Sequence, residues 1–339
     1  MATRRKRSPV RWLRRLVGLA VLAGLAACGW MVWFAQHPFA LPATPFEFTV
    51  RTGVGLKAVS RQLGTQGLFV EGESLWILAR LLGKTPTLQA GTYRLEAPLT
   101  PLELLDKLAR GEVVLAEVRF TEGTTFRQWI AQLARQSQLK PTLGGRTAAD
   151  IARLLNVGQE SPEGWLFPDT YRYAPGVSDL ELLRLAYQRM RKRLDEAWQA
   201  RAPEVPLATP YEALIMASII EKETGAAEER PVIASVFYNR IRKGMRLQTD
   251  PTVIYGLGEK YDGNIHKRDL TTDTPWNTYT RDGLPPTPIA MPGAASITAA
   301  AQPAKSDFLY FVGKGDGTHQ FSRTLEEHNR AVARYQLRK

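Results

Sequence analysis

The feature that most constrains this chain is an uncharged run of 20 residues near its N-terminus, LVGLAVLAGLAACGWMVWFA at 16–35. A helix of about 20 apolar residues is long enough to cross a bilayer. Seven Lys and Arg and no acidic residue lie in the 15 residues before it, and such charge marks the cytoplasmic end of membrane helices. We expect a basic cytoplasmic tail (1–15), a single transmembrane anchor (16–36), a linker (37–45) and a body outside, in a periplasm if the cell has one.

Two other interpretations of the apolar run remain open. A cleaved signal peptide is one, although no small-x-small site follows the run. The other is a lipoprotein, because LAAC at 25–28 matches a processing box that would make Cys28 a lipidated N-terminus. The apolar WMVWFA after Cys28 favours the anchor, since a lipoprotein usually turns polar there.

The cysteine and histidine content argues against a metal site or a cofactor. Cys28 is the only cysteine, so no disulfide or cysteine-based metal site forms within the chain. The four histidines, at 37, 266, 319 and 328, are scattered. We predict that each is a surface residue.

The charge distribution argues against a nucleic-acid partner. The formal net charge is +12, with 45 Lys and Arg against 33 Asp and Glu. Without the seven basic residues of the tail, the chain holds 38 basic and 33 acidic side chains. No Lys/Arg-rich stripe with interleaved aromatic residues follows the tail, as a nucleic-acid-binding surface would require.

A strand–turn–helix pattern occurs twice after the linker. FTVRTGVGLKAVSRQL (48–63) and VRFTEGTTFRQWIAQL (118–133) align, with a glycine at each turn. The second copy resembles the opening of a LysM module, a small glycan-binding unit with two strands flanking two helices. A generic strand–turn–helix is the other interpretation. We predict a LysM-like region over 46–140.

The remainder, 155–339, reads as a mainly helical α+β domain. A long amphipathic helix is predicted near 179–200, a second helix from Thr209 to Gly225, and a third near 228–243. Asp250 and Pro251 begin a short helix, and a β-hairpin with a last helix ends the chain. The predicted fold class is α+β.

The stretch SIIEKETG, 218–225, ends an apolar helix with Glu221 and Glu223. The negative end of the helix dipole and apolar surroundings both raise a carboxyl pKa. Residues three and four apart share a helix face, so Glu223 stands over Ile219 and Ile220, whereas Glu221 stands over the smaller Ala217 and Ser218. Glu223 is therefore the candidate proton donor, with room at Glu221 for water or a hydrogen bond with Ser218. Two exposed charges at a helix end are the other interpretation.

Polar loops follow this helix. LQTD (247–250) and NTY (277–279) supply amides, hydroxyls, a carboxylate and an aromatic ring. These groups suit a neutral polymer with amide substituents, such as an N-acetylated glycan. Each is also ordinary loop chemistry, and Asp250 can simply cap the helix that begins at Pro251.

Several blocks of the sequence resemble the endolytic murein transglycosylase family, also called YceG-like. They are EGWLFPDTY, MASIIEKETG, ERPVIASVFYNRIRKGMRLQTDPTVIYGLG, NTYTRDGLPPTPIAMPGAASITAAAQPA and the hairpin LYFV with GTHQFS. The resemblance implies a single-pass protein of the cell inner membrane that cuts nascent peptidoglycan strands internally and ends their elongation. It implies no cofactor, and peptidoglycan synthases (penicillin-binding proteins) as partners.

The resemblance also implies site residues and a reaction. Glu223, the second glutamate of EKET, matches the family's catalytic residue. One carboxyl suffices for a lytic transglycosylase, because the muramyl 6-hydroxyl itself attacks the anomeric carbon. The candidates for holding sugar amides and hydroxyls are Gln248, Asp250, Asn277, Tyr279 and Asn239.

Three alternatives remain open from the sequence. A muramidase would use water, with Asp250 as the second carboxylate. A non-enzymatic scaffold would bind glycan through the LysM-like region and recruit synthases. An anionic-membrane or nucleic-acid binder would lose affinity steeply with salt.

Overall fold

The computed structural model describes residues 9–51, 53–69, 72–83 and 88–337. It contains two compact units, the first comprising 1–116 with 174–176 and the second 117–173 with 177–339. The helices are α1 (Pro9–Gln36), α2 (Leu56–Thr65), α3 (Ser74–Leu81), α4 (Pro101–Arg110), α5 (Phe126–Leu133), α6 (Ala148–Leu155), α7 (Asp179–Gln199), α8 (Pro210–Glu223), α9 (Arg230–Arg242), α10 (Asp250–Leu257), α11 (Lys267–Thr271), α12 (Ala294–Ala301) and α13 (Leu325–Tyr335). The strands are β1 (Phe46–Val50), β2 (Gly91–Leu95), β3 (Ala116–Arg119), β4 (Thr170–Tyr173), β5 (Tyr310–Gly313) and β6 (His319–Ser322).

The apolar run forms one helix. Of the residues that the structure describes, only Leu16–Gln36 within α1 is long and apolar enough to span a membrane. Its large side chains are exposed, Leu22 and Leu25 by 64% each, which fits a helix surrounded by lipid. Cys28 is exposed on the same helix. This helix agrees with the predicted single-pass anchor.

In the first unit, two helices separate two paired strands along the chain. β1 and β2 are antiparallel, with Phe46 opposite Leu95, and α2 and α3 lie between them in the chain. Phe48 and Tyr93 stack at 5.4 Å inside this unit. The element order of this unit is therefore strand–helix–helix–strand. The LysM-like character of the 46–140 region and its glycan binding stay predictions.

The second strand–turn–helix copy belongs to the second unit. β3 pairs with β4, and Phe120 stacks on Trp129 of α5 with ring centroids 3.7 Å apart. The predicted LysM-like region, 46–140, is therefore divided between the two units.

α8 lies at the centre of the second unit. Eight consecutive residues, 213–220, are buried, so this helix is covered on every side rather than on one face. It packs against α7, α9, α10 and α12. The predicted inward residues of α7, Leu183, Tyr187, Met190 and Leu194, are all buried.

The sequence analysis assigns no element to 294–301, the segment that forms α12. The segment AASITAAA is nevertheless a helix that packs against α8, with Ala299 and Ala300 almost fully buried. Tyr238 donates a hydrogen bond to the Ala300 carbonyl at 2.5 Å. The segment has no apolar period to indicate a helix, and the high helix propensity of its alanines was the one available signal.

The predicted C-terminal β-hairpin is confirmed. β5 and β6 are antiparallel, with Tyr310 opposite Ser322. α13 packs against both strands and begins at a capping box formed by Thr324 and Glu327. The chain is mainly helical with short strands, in line with the α+β prediction.

Candidate active site

Glu223 is the last residue of α8. The helix begins at Thr209, whose hydroxyl accepts the Glu212 N–H, with Pro210 in the first turn. It ends because Thr224 is extended, at φ −143° and ψ 139°. Gly225, the predicted cap, does not adopt the left-handed conformation.

The Glu223 carboxyl lies in a desolvated position. Ile219 and Ile220, the residues predicted to lie under it, are both fully buried. Burial raises the pKa of Glu223 to about 7, a hydrogen bond from Thr249 opposes this rise, and the charge of Asp250 adds to it. A carboxyl group with such a pKa can donate a proton and later accept one near neutral pH.

Thr249 was not predicted as a site residue. Its hydroxyl donates to Oε1 of Glu223, and only 3% of the residue is exposed. Thr249 stands between Gln248 and Asp250 in LQTD. Its position in that motif was the one sequence feature that could have indicated a place at the site.

The loop before α10 has an unusual backbone that holds Thr249 in place. Gln248 has φ +51°, in the left-handed region that residues other than glycine rarely adopt. Its N–H donates to the Thr278 carbonyl at 3.2 Å, and the Thr249 N–H donates to the Thr278 hydroxyl at 3.1 Å. The Gln248 side chain accepts from Arg240 at 3.3 Å. The 277–279 segment therefore fixes the conformation of the LQTD loop.

Asp250 and Tyr279 form a pair beside Glu223. The Tyr279 hydroxyl donates to Oδ1 of Asp250 at 2.5 Å. Burial, followed by this hydrogen bond, raises the pKa of the Tyr279 hydroxyl well above its ordinary value. Asp250 is the first residue of α10, and its negative charge keeps the Glu223 proton bound more tightly.

These residues line a cleft of about 390 Å³. Glu223, Gln248, Asp250 and Tyr279 contribute to it, as do parts of the C-terminal hairpin and α13. The hairpin and α13 supply Tyr310, Phe311, Val312, His319, His328, Val332 and Gln336 among the lining residues. The structure thus brings together four of the six predicted site residues.

Asn277 and Asn239 do not line this cleft. Asn277 is 1% exposed; its amide donates to the carbonyls of residues 269, 270 and 272 and accepts the Tyr279 N–H. Asn239 donates to the Ser306 and Phe308 carbonyls. The structure therefore does not bring these two residues to the cleft, because their amides are occupied by the protein's own backbone.

The contacts of Glu221 join the end of α8 to other parts of the fold. Its Oε2 accepts the Gly293 N–H at 2.9 Å and the Ser296 hydroxyl at 2.7 Å, at the start of α12. Arg230 lies 3.7 Å from its other oxygen. The expected Ser218 contact is absent from the described hydrogen bonds, because Ser218 donates to the Ile215 carbonyl and accepts the Ile289 N–H.

A second buried carboxyl, Glu163, supports the fold outside the cleft lining. Its Oε1 accepts the N–H of Phe126, the first residue of α5, at 3.0 Å, and its Oε2 accepts the Tyr255 hydroxyl at 3.1 Å. Burial raises the pKa of Glu163 to about 7, against the opposing effect of these hydrogen bonds. A raised carboxyl pKa alone therefore does not identify a proton donor, and what distinguishes Glu223 from Glu163 is its position in the cleft lining.

Two histidines predicted as surface residues line the cleft instead. The side chain of His319 is only 14% exposed, and His328 is half-buried. Both face a cleft formed by segments far apart in the chain, and isolated histidines offered no spacing that could reveal it.

A half-buried, desolvated carboxyl of near-neutral pKa in a cleft that hydroxyl, amide and aromatic side chains line is an arrangement suited to acid–base chemistry on a polar ligand. The chain belongs to the YceG-like family, whose model matches residues 48–334. The endolytic murein transglycosylase of Bacillus subtilis (strain 168) is 35% identical over 267 residues, 73% of each chain.

More distant matches agree. A protein of the same name from Streptococcus pneumoniae (serotype 2, strain D39) is 29% identical over 318 residues, covering 84% of this chain and 57% of that relative. The crystal structure of a yceG-like protein from Listeria monocytogenes is 31% identical, with a TM-score of 0.53. That comparison covers 84% of this chain and 98% of that one.

Proposed function

We propose that this protein is a membrane-anchored endolytic transglycosylase of peptidoglycan. It cleaves the β-1,4 bond between N-acetylmuramic acid and N-acetylglucosamine within nascent glycan strands. The cut leaves 1,6-anhydro-muramyl ends and terminates strand elongation. The observation that carries the proposal is the desolvated Glu223 carboxyl, with its pKa of about 7, at the cleft of a chain whose relatives bear this name.

In the proposed reaction one carboxyl acts first as a general acid and then as a general base. Neutral Glu223 protonates the glycosidic oxygen, and the leaving sugar departs with that proton. The muramyl N-acetyl group can assist the oxocarbenium-like centre. The ionised Glu223 then takes the proton of the 6-hydroxyl as its oxygen bonds to the anomeric carbon. Thr249 stabilises the ionised form by its hydrogen bond, and Asp250 stabilises the protonated form by its charge.

Asp250 is the residue on which the muramidase alternative depends. In that reaction it would act as a second carboxylate and water would hydrolyse the strand. Its Oδ1 is instead held by the Tyr279 hydroxyl. This contact supports a role for Asp250 as a fixed negative charge beside Glu223.

The membrane helix α1 suggests where the reaction occurs. The basic tail predicts a cytoplasmic N-terminus, and the chain from residue 37 onward would then lie on the periplasmic side of the inner membrane. Nascent strands are polymerised at that surface, so peptidoglycan synthases are the expected partners. Lipidation of Cys28 remains the alternative mode of attachment.

The test uses the full chain in detergent with uncrosslinked glycan strands. We expect wild type to release products with anhydro-muramyl ends, measured by mass spectrometry, and Glu223→Gln to release none. Glu228→Gln, an exposed carboxyl five residues along, is the matched control and should retain activity. Products with reducing muramyl ends would instead establish a muramidase, and no cleavage by wild type would favour the scaffold.

A further inference from the structure

Arg240 carries a buried positive charge that no carboxylate of the described residues neutralises. Only 8% of the residue is exposed, and no described Asp or Glu oxygen lies within 4.0 Å of its guanidinium. Burial lowers the pKa of Arg240, and no carboxylate charge in the described part of the chain opposes that decrease. A guanidinium stays protonated even so. Because buried charges in proteins are normally paired, this one lacks the anion that would complete its surroundings.

The contacts that Arg240 does make are with neutral acceptors, and they leave one nitrogen open. Its Nε donates to the Leu309 carbonyl at 2.7 Å. Its Nη1 donates to the carbonyls of Arg246 and Leu247 at 3.0 and 2.7 Å, and to Oε1 of Gln248 at 3.3 Å. Nη2 has no hydrogen-bond partner among the described residues, and it is not one of the fully buried atoms left without one. It therefore reaches solvent, and the residue lines the cleft.

The guanidinium is attached to the loop that contacts the candidate proton donor. Its hydrogen bond to Gln248 ties it to the residue before Thr249, whose hydroxyl donates to Glu223. It also lies over the Tyr310 ring, 5.2 Å from the ring centroid. Among the residues that line the cleft, all of which the structure describes, Arg240 is the only Lys or Arg. An anionic group on a ligand bound at Glu223 therefore has one permanent positive charge available to it.

We propose that Arg240 is the subsite for a carboxylate on the 3-O-substituent of a muramyl residue. This inference rests on the proposed function, because muramyl strands are the substrate proposed there. In peptide-free strands the carboxylate is that of the lactyl group, and in peptide-bearing strands it belongs to the stem peptide. N-acetylglucosamine carries no such group, so Arg240 selects which of the two alternating sugars occupies its subsite.

The chemistry of the guanidinium favours a carboxylate over a neutral acceptor. A sugar hydroxyl or an acetamido carbonyl would accept the Nη2 hydrogen bond and leave the charge unpaired, whereas a carboxylate satisfies both in one contact. Asp250 lines the same cleft but does not supply this anion. The Tyr279 hydroxyl donates to its Oδ1 at 2.5 Å, and none of the described ion pairs joins it to Arg240. The partner is therefore expected from the ligand.

The test measures binding, with the carboxylate of the ligand as the variable. The full-length Glu223→Gln protein in detergent is titrated with a peptide-free muramyl tetrasaccharide and with the same compound after its lactyl carboxylates are converted to carboxamides. A second pair of ligands carries stem peptides with free or amidated carboxyl groups. The titrations are repeated with Arg240→Gln and Arg240→Lys in the same background. Arg242→Gln, which removes an exposed charge of α9 outside the cleft lining, is the matched control.

With Arg240 present, the carboxylate form of one pair or both should bind about 10- to 100-fold more tightly than the amidated form, the range for a hydrogen bond between charged groups. The pair that shows this preference identifies the source of the carboxylate. Arg240→Gln should abolish the preference, Arg240→Lys should keep part of it because the charge remains, and Arg242→Gln should leave it unchanged. Thermal unfolding checks that each variant is folded.

Equal binding of the free and amidated forms in both pairs by the protein that retains Arg240 would overturn the proposal, and that comparison needs no variant at this position. A guanidinium that only holds the loop and the hairpin would give a different result. Arg240→Gln would then weaken both forms by the same factor and leave the preference intact, which would also overturn the proposal. Failure of the wild-type protein to cleave glycan strands would instead contradict the proposed function, since the carboxylate preference is measured without cleavage.

Discussion

The hydroxyl of Thr249 donates a hydrogen bond to the carboxyl of Glu223. This contact limits how far burial raises the pKa of that carboxyl. Burial alone would push the pKa of Glu223 higher than about 7, because the hydrogen bond stabilises the ionised form. Asp250, the next residue, acts in the opposite direction through its charge. Thr249 and Asp250 therefore shift the pKa of Glu223 in opposite directions.

Replacement of Thr249 should make Glu223 a weaker acid. In Thr249→Val the donor is lost, so the pKa of Glu223 rises and the alkaline limb of the pH–rate profile moves to higher pH. We expect kcat at pH 7 to fall roughly three- to tenfold, the range of one hydrogen bond. Thr271→Val, an exposed threonine outside the cleft lining, is the control. A profile that moves to lower pH would contradict this assignment.

Neutralisation of Asp250 should have the opposite effect on the same limb. Asp250→Asn removes the negative charge that raises the pKa of Glu223. The alkaline limb should therefore move to lower pH, and activity at pH 8 should fall more than activity at pH 6. Asp195→Asn, an exposed carboxylate on α7, controls for a general charge effect. Complete loss of activity at every pH, with binding unchanged, would instead indicate that Asp250 takes part in the chemical step.

The raised pKa of Glu223 also predicts how stability depends on pH. The carboxyl has an ordinary pKa of 4.5 and one of about 7 in the folded protein. Between these values the folded state binds more protons than the unfolded state, so stability falls as pH rises through this window. Glu223→Gln removes that proton linkage. Between pH 5 and pH 8 it should therefore lose about 2 kcal/mol less free energy of unfolding than wild type.

Denaturant titrations at the two pH values measure this difference. Glu228→Gln, whose carboxyl is exposed, should follow the wild-type curve. Glu163, the other buried carboxyl with a pKa of about 7, should still give the Glu223→Gln protein a residual loss of stability. A wild-type protein equally stable at pH 5 and pH 8 would refute the desolvated position of both carboxyls.

Glu221 and Glu223 should respond in opposite ways to the same substitution. Glu221→Gln breaks a buried ion pair with Arg230 and weakens the hydrogen bonds at the start of α12. We expect a loss of about 3 kcal/mol in the free energy of unfolding, typical of a broken buried pair. Glu223→Gln should abolish cleavage and leave the protein at least as stable at pH 8. Thermal unfolding beside the cleavage assay distinguishes the two glutamates.

Local pattern predicted most of the helices and the C-terminal hairpin well. Thr209 starts its helix as predicted, and its hydroxyl accepts the N–H of the residue three positions on. The face of α8 under Glu223 could also be read from side-chain spacing.

Contacts between segments that are far apart in the chain could not be predicted from local sequence pattern. Asn277 and Asn239 carry the amide chemistry expected of glycan ligands, but backbone carbonyls elsewhere in the fold occupy them. His319 becomes a cleft residue only through the hairpin and Glu229. Whether a polar side chain faces a ligand or its own backbone depends on tertiary structure, which no short motif encodes.

The burial of α8 on every side has a consequence for how this site can evolve. Ile219 and Ile220 are fully buried and do not line the cleft, yet they lie beneath the carboxyl and contribute to its desolvation. A smaller side chain at either position would admit solvent and restore ordinary acidity while every cleft residue stayed in place. Interior hydrophobic positions therefore affect the pKa of the carboxyl on which the proposed reaction depends. Selection on that reaction would then extend to buried residues outside the cleft surface.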